Sequence, residues 1–247
     1  MPSQPFSNKC SKMFKQKKLL IFLLLGLLAY WLFSSFSTRL TTPEPGGKRV
    51  TNLPWQITHI NENLLQVFDL NIGQATLADA DKTLLSEYEL AWFHNPDQSI
   101  SLEAYFIRVN LSGLRAKIIL ELDPSGLDID YLLKNSGKPE KLPSYSVKYP
   151  LDDLKQALSD RKILSLTYIP KSSVDKELLL KFFGKPDEVI TLNETIEHWL
   201  YPDKGLDVMY NSKGKEMFQY TTLADFPRMQ QKLLTPPETS AKLLPEQ

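Results

Sequence analysis

Carboxylates are frequent in this 247-residue chain, with 29 Asp and Glu that could do chemistry. Asp79 with Asp81, Asp128 with Asp130, and Asp152 with Asp153 are close enough to suggest acid and base partners. Each pair also falls at an expected helix start, where negative charge offsets the helix dipole without any catalytic role. Glu103 lies apart from these, in an alternating strand, and with a distant Asp it would give the two carboxylates of a hydrolase. The segment from Asp123 to Asp130 has the acidity of a calcium loop but lacks the alternating Asp/Asn spacing, the central Gly and the closing Glu.

The three histidines, His59, His94 and His198, form no i, i+4 pair with another ligand, and no H-E-x-x-H motif occurs. A zinc site would require them to converge from separate elements. No G-x-S-x-G elbow, P-loop or G-x-G-x-x-G is present, so no cofactor and no metal is expected. Asn110-Leu-Ser and Asn193-Glu-Thr match the glycosylation sequon but matter only in a eukaryotic secretory route. The candidate that remains is an aromatic, mixed-charge partner-binding surface made of Glu103, Tyr105, Arg115, His198, Trp199 and Tyr201. The alternative for Trp199 and Tyr201 is that they pack the sheet against its helices.

Those residues need strands to carry them. Ile100, Leu102, Ala104 and Phe106 alternate with Ser101, Glu103 and Tyr105, which predicts a half-buried strand. After a turn at Ser112-Gly113, Ala116, Ile118, Leu120 and Leu122 alternate again, predicting a hairpin. A helix should precede it over Leu77–Leu85, with Thr76 as N-cap answered by Asp79, and then a strand over Tyr88–His94. A second such series runs from a helix over Val174–Phe183, capped by Ser172 or Ser173 and stopped by Gly184, to strands at Glu197–Tyr201, Leu206–Tyr210 and Lys215–Tyr220. Trp92 and Trp199 occupy equivalent places before Pro-containing turns. Between the two series the pattern predicts a helix over Asp128–Asn135, an extended Leu142–Tyr149, a helix carrying Leu151, Leu154, Ala157 and Leu158, and a strand over Ile163–Ile169. A hairpin around Asn61-Glu62-Asn63 precedes the first series, and a helix over Ala224–Leu234 follows the second.

The N-terminus has a different character. Residues 1–43 hold no Asp or Glu but carry Lys9, Lys12, Lys15, Lys17, Lys18 and Arg39. The rest of the chain has 23 basic against 29 acidic residues, a formal charge of −6. An acidic body argues against nucleic acid as a partner. From Leu19 to Phe36 the chain is apolar and uncharged, and at 1.5 Å per residue a helix of that length spans about 27 Å. The preceding lysines place the N-terminus in the cytoplasm. A cleaved signal peptide ending near Ser37 is the competing reading, and either reading exports the body. The lone Cys10 precedes the apolar run, so it forms no internal disulfide and is no lipid acceptor.

The order Phe182-Phe183-Gly184-Lys185-Pro186-Asp187, Glu197-His198-Trp199-Leu200-Tyr201, Gly205-Leu206-Asp207-Val208, Lys213-Gly214-Lys215 resembles the small outer-membrane-assembly lipoproteins of the SmpA/OmlA (BamE-like) type. At fold level it also resembles β-lactamase-inhibitor-like (BLIP-like) domains. The likeness covers about Ser172 to Tyr220 and implies a protein-binding scaffold without catalytic residues. No lipobox cysteine follows the apolar run, which departs from the lipoprotein pattern.

The expected class is therefore α+β, with an N-terminal transmembrane helix and two tandem units, each a helix plus an antiparallel meander. The segments are a cytoplasmic tail (1–18), a membrane helix (19–36), a linker (37–52), a first unit (53–125), connecting elements (126–170), a second unit (171–234) and a disordered tail (235–247). The expected function is a single-pass inner-membrane protein whose periplasmic domain binds another envelope protein. The alternatives are a hydrolase acting on an envelope polymer and a small-ligand sensor.

Overall fold

The computed structural model describes residues 51–234. The tail 1–18, the apolar run 19–36, all but the end of the linker 37–52, and the segment 235–247 lie outside the described residues. Among the described residues no helix is long and apolar enough to cross a membrane.

The chain opens with a small antiparallel sheet, β1 (Thr58–Asn61), β2 (Leu64–Val67) and β3 (Leu70–Ile72), followed by α1 (Leu77–Leu84). Next come β4 (Tyr88–His94), β5 (Ile100–Leu111), β6 (Leu114–Leu122), α2 (Ile129–Asn135), β7 (Glu140–Lys141), β8 (Val147–Pro150) and β9 (Ile163–Pro170). The last part holds α3 (Lys176–Phe183), β10 (Glu188–Thr191), β11 (Ile196–Tyr201), β12 (Leu206–Asn211), β13 (Met217–Thr221) and α4 (Phe226–Leu234). Strands β4 to β13 form one ten-stranded antiparallel sheet in the order β10-β11-β12-β13-β9-β6-β5-β4-β8-β7.

This sheet replaces the two tandem units expected from the sequence. Their strands exist, but β9 pairs with β6 through Ile118↔Tyr168 and with β13 through Phe218↔Tyr168. The two sets of strands thus share one ladder and one continuous core. No boundary separates residues 53–125 from 171–234, because the segment assigned as a connection supplies the strand that joins them. Among the described residues the class is a predominantly β architecture with few, short helices.

Period-two alternation sorts the side chains within each regular ladder, interrupted by register shifts between Phe106 and Val109 and between Glu121 and Leu122. One face, the inner one, buries Leu90, Trp92, Leu102, Ala104, Phe106, Ile118, Leu120, Leu166, Phe218 and Tyr220, each at most 2% exposed. Burying a residue such as Phe106 stabilises by about 1.5–3 kcal/mol. The small sheet and α1 share this core through Leu65, Ile72, Leu77 and Ala80. The Tyr220 hydroxyl lies inside it, donates to the Pro54 carbonyl at 2.9 Å, and is held well above its ordinary pKa by burial.

Helix α1 begins as its sequence dictates: Thr76 and Asp79 form a reciprocal capping box. Helix α3 is capped instead by Asp175, which accepts from the Leu178 N–H at 2.8 Å. The expected cap at Ser172 or Ser173 is displaced because the buried Glu216 carboxylate takes the Val174 N–H, fixing the chain as non-helical there. Likewise the expected helix over Leu151–Leu158 shrinks to a 3₁₀ turn, Asp152–Leu154. The Leu151 N–H donates to the Leu90 carbonyl, so its backbone is spent on β4 while Leu151, Leu154 and Leu158 still reach the core.

Gly205 closes the β11–β12 connection with φ +57°, and a Cβ there would stand 2.2 Å from the Thr221 carbonyl oxygen. Both the left-handed backbone and a rigid neighbour forbid a side chain. Gly205→Ala is expected to destabilise the fold by about 3 kcal/mol in urea unfolding, whereas Gly113→Ala, also at positive φ but with open space around it, costs about 1 kcal/mol.

Candidate functional site

The outer face of the sheet carries Ser101, Glu103 and Tyr105 from β5, Glu121 from β6 and Ser165 from β9 as neighbours. The register sets Glu103 directly opposite Glu121, and Glu121 opposite Ser165. Ser101 donates to Glu103 Oε1 at 3.1 Å, and the Tyr105 hydroxyl donates to Glu103 Oε2. Ser165 donates to Glu121 Oε2 at 2.9 Å. Burial pushes the Glu103 carboxyl above its ordinary pKa against these two donors, and the facing Glu121 adds to the shift. Burial, with the Glu103 hydrogen bond, also pushes the Tyr105 hydroxyl upwards. Lys148 completes the group, paired with Glu89 at 3.3 Å and lying 5.6 Å from the centre of the Tyr105 ring. Beside Glu121 a space of about 30 Å³ has room for a water molecule.

His198, Trp199 and Tyr201 lie on β11, five positions across the sheet from β5, or about 24 Å at the usual strand spacing. They do not meet Glu103 and Tyr105. Trp199 and Tyr201 point to the inner face, where the indole N–H donates to Glu197 at 2.9 Å and the Tyr201 hydroxyl to the Gly184 carbonyl at 3.0 Å. Burial raises the Tyr201 hydroxyl to about 12. Glu197 is held low by its bond to Lys176, which also stacks over the Trp199 and Tyr210 rings. His198 points to the outer face but is buried, with Nδ1 2.7 Å from Asp207 Oδ2. Burial raises the Asp207 carboxyl, and its Oδ1 has no hydrogen-bond partner among the described residues.

Arg115 stands apart from both groups, at the β5–β6 turn on the rim of a groove of about 470 Å³. Trp55, Leu114, Pro170, Val174, Leu178 and Phe182 line its apolar wall, and Lys171 lies on the rim with Arg115. Trp55 and Phe182 stack with ring centres 3.7 Å apart, which fixes the segment before β1 against α3. Leu178 remains 38% exposed on the groove side of a helix whose Leu179 and Phe183 are buried. The groove was not legible from the sequence, although Leu178 and Phe182 at i, i+4 beside the core stripe were its local signal. The volume falls in the range of ligand sites, and the composition suits an apolar group carrying a negative charge.

His59 is exposed on β1 and His94 ends β4. Among the described residues no group of three or more His, Cys, Asp or Glu could hold a metal ion. Comparison with family models, with curated proteins and with solved structures finds no match.

Because the folded pKa of Glu103 is raised, the folded state holds its proton to higher pH than the unfolded chain does. Stability contributed there falls as pH rises from the ordinary carboxylate range through the raised value. Glu103→Gln should flatten that fall, so the variant gains on the parent as pH rises above the ordinary carboxylate range in chemical unfolding. An unchanged pH profile would show that the carboxyl is not desolvated in the fold.

Proposed function

We propose that this chain is a non-catalytic binding protein of the bacterial envelope, held in the inner membrane by residues 19–36, with its β-sheet domain in the periplasm. The groove beside α3 receives a segment of a partner protein. That groove is the observation that carries the reading: it is open, apolar-walled, and rimmed by Arg115 and Lys171, which form no ion pair among the described residues. A partner segment with a bulky apolar side chain and a nearby carboxylate would fill both the wall and the rim. The basic N-terminal flank and the uncharged run from Leu19 to Phe36 support the placement in the membrane.

The Glu103 and Glu121 pair supports a hydrolase less well. Its carboxylates are satisfied by neighbouring hydroxyls, and the space beside Glu121 is water-sized, too small for a sugar ring or a peptide.

A photo-crosslinking residue in place of Leu178, in the full-length chain in cells, should capture one partner protein. The same residue in place of Lys141, at the far edge of the sheet, should not. Charge reversal of Arg115 and Lys171 together should lower that capture about tenfold, the loss of roughly 1.4 kcal/mol of contact energy. Capture of the chain by itself alone, or equally from both positions, would overturn the reading. A reporter fused after Gln247 is expected to be active only outside the cytoplasm, and activity inside would remove the envelope placement.

A further inference from the structure

The two ends of the large sheet, taken along its strands, carry opposite charge. The β5–β6 turn, the end of β9 and the β12–β13 turn share one end, because Leu111 pairs with Leu114, Ala116 with Pro170 and Phe218 with Tyr168. Arg108, Arg115, Lys117, Lys171, Lys213 and Lys215 are exposed there, and none forms an ion pair among the described residues. Against them stand Glu194 in the β10–β11 turn and, on the inner side of the sheet, Asp175 and Glu177 at the start of α3. The turns and strand ends at the opposite end hold Asp97, Asp123, Asp160, Asp187, Asp203 and Asp225 against Arg161, Lys162, Lys185 and Lys204.

A β-bulge concentrates part of the positive charge. The β5–β6 ladder slips between Phe106 and Val109, so Ile107 and Arg108 both stand opposite Lys117. Two neighbouring cations without a carboxylate partner repel each other, a cost that an external anion removes. Lys213 and Lys215 extend the charge along the same end, two to four strands away, about 10–19 Å at the usual strand spacing. The Lys215 ammonium donates to the Lys171 carbonyl at 2.5 Å, which holds it at the strand tips. Arg115 and Lys171 border the groove, whereas Arg108, Lys117, Lys213 and Lys215 lie outside it. The chain also enters the domain at this end: Ser112, in the β5–β6 turn, donates to the Thr51 carbonyl at 2.5 Å. Residues 37–50, between the apolar run and Thr51, carry Arg39, Lys48 and Arg49 against Glu44.

We propose that this end of the domain rests on the anionic phospholipid surface of the membrane that holds residues 19–36, with Arg108, Lys117, Lys213 and Lys215 against the headgroups. The inference rests on the envelope placement proposed above. Cations within a Debye length of an anionic bilayer are attracted by its surface potential, and the acidic opposite end is repelled by the same field, so the charges select one orientation. Residues 37–50 span at most about 50 Å when extended, which permits the contact without enforcing it. The cations are spread over strand tips and a hairpin face rather than gathered in a pocket, which suits a plane of headgroups better than a single acidic side chain. The chain's own entry point beside them puts that plane on the matching side of the domain.

The test uses the full-length chain with Cys10→Ser in nanodiscs of phosphatidylcholine, alone or mixed with phosphatidylglycerol. An acceptor dye sits on the lipid headgroups and a donor dye on one introduced cysteine. From Ser212→Cys, energy transfer should be strong in the mixed discs and severalfold weaker in the neutral ones. From Ser125→Cys, at the opposite end, it should be weak in both. Salt at about 1 M, where the Debye length is about 3 Å, should abolish the difference between the lipids. Arg108→Glu with Lys117→Glu should lower transfer from position 212 severalfold. Lys162→Glu with Lys185→Glu, an equal charge change at the opposite end, should leave it unchanged. Equal transfer from positions 212 and 125, transfer indifferent to phosphatidylglycerol, or an equal loss from both double reversals would each overturn the proposal. A chain that enters no nanodisc would instead remove the membrane placement, and this inference with it. The lipid and salt comparisons need no substitution among the cations, so a reversal variant that fails to fold does not decide the outcome.

Discussion

Strand β9 is the joint on which this architecture depends. It lies between β13 and β6 in the middle of the sheet, and its residues Leu166 and Tyr168 are buried from both sides at once. Remove that ladder and each neighbouring group of strands would expose an edge together with a row of apolar side chains. The cost would be both the hydrogen bonds and the burial, since buried backbone groups left unpaired are as expensive as the bonds they lose. The small sheet of β1–β3 is bound to the same place. Gly73 N–H donates to the Ile163 carbonyl, and Ile163 N–H to the Ala75 carbonyl. Tyr168, raised to about 12 by burial, packs between the Phe68 and Phe218 rings. One strand thereby ties three parts of the chain into a single core.

The two faces of the sheet follow different rules as a result. The inner face is largely hydrocarbon; Tyr220, Tyr201 and Trp199 spend their polar tips on nearby carbonyls or a carboxylate, whereas the buried Trp92 indole N–H has no partner among the described residues. The outer face mixes buried carboxylates with hydroxyl donors, and the desolvation this costs is partly offset by the hydrogen bonds those hydroxyls donate. Helix α4 covers one end of that face, where Phe226 and Met229 pack on Leu200. Its start is fixed by Thr222 and Asp225, which bond each other reciprocally. The His198–Asp207 pair sits on the same face, buried on both sides of the contact. A pair of that kind is costly to break and stabilises little by existing.

Much of this was legible in local pattern. The alternation in Ile100–Leu111 and Leu114–Leu122 marked a hairpin, and Thr76 with Asp79 marked a helix start, because these signals are set by residues a few positions apart. Which strands become neighbours is not a local property. Ile163–Pro170 reads as a strand, but nothing in its sequence says that it bonds β6 on one side and β13 on the other. The order helix, strand, strand, strand therefore looked like two separate units. Strand β10 was missed for the opposite reason: Glu188-Val-Ile-Thr is too short to show a period and sits just after a Pro. The grouping of Glu103 with His198, Trp199 and Tyr201 rested on polar strand faces treated as one surface. Five strands of spacing and a reversal of face for Trp199 and Tyr201 separate them.

The groove arises where the sheet's regularity stops. At the β5–β6 turn the ladder ends, β9 finishes in Pro170, and the chain must leave the sheet before α3 can begin. Glu216 holds the Val174 N–H and Asp175 caps the helix, so α3 begins only beyond Asp175, and Leu179 and Phe183 then seat it on the core while Leu178 and Phe182 line the groove. The Trp55–Phe182 stack bridges the far side and leaves the space between them unfilled. The groove therefore sets an apolar wall beside Arg115 and Lys171, which form no ion pair among the described residues, and that combination is the composition of a surface open to another molecule.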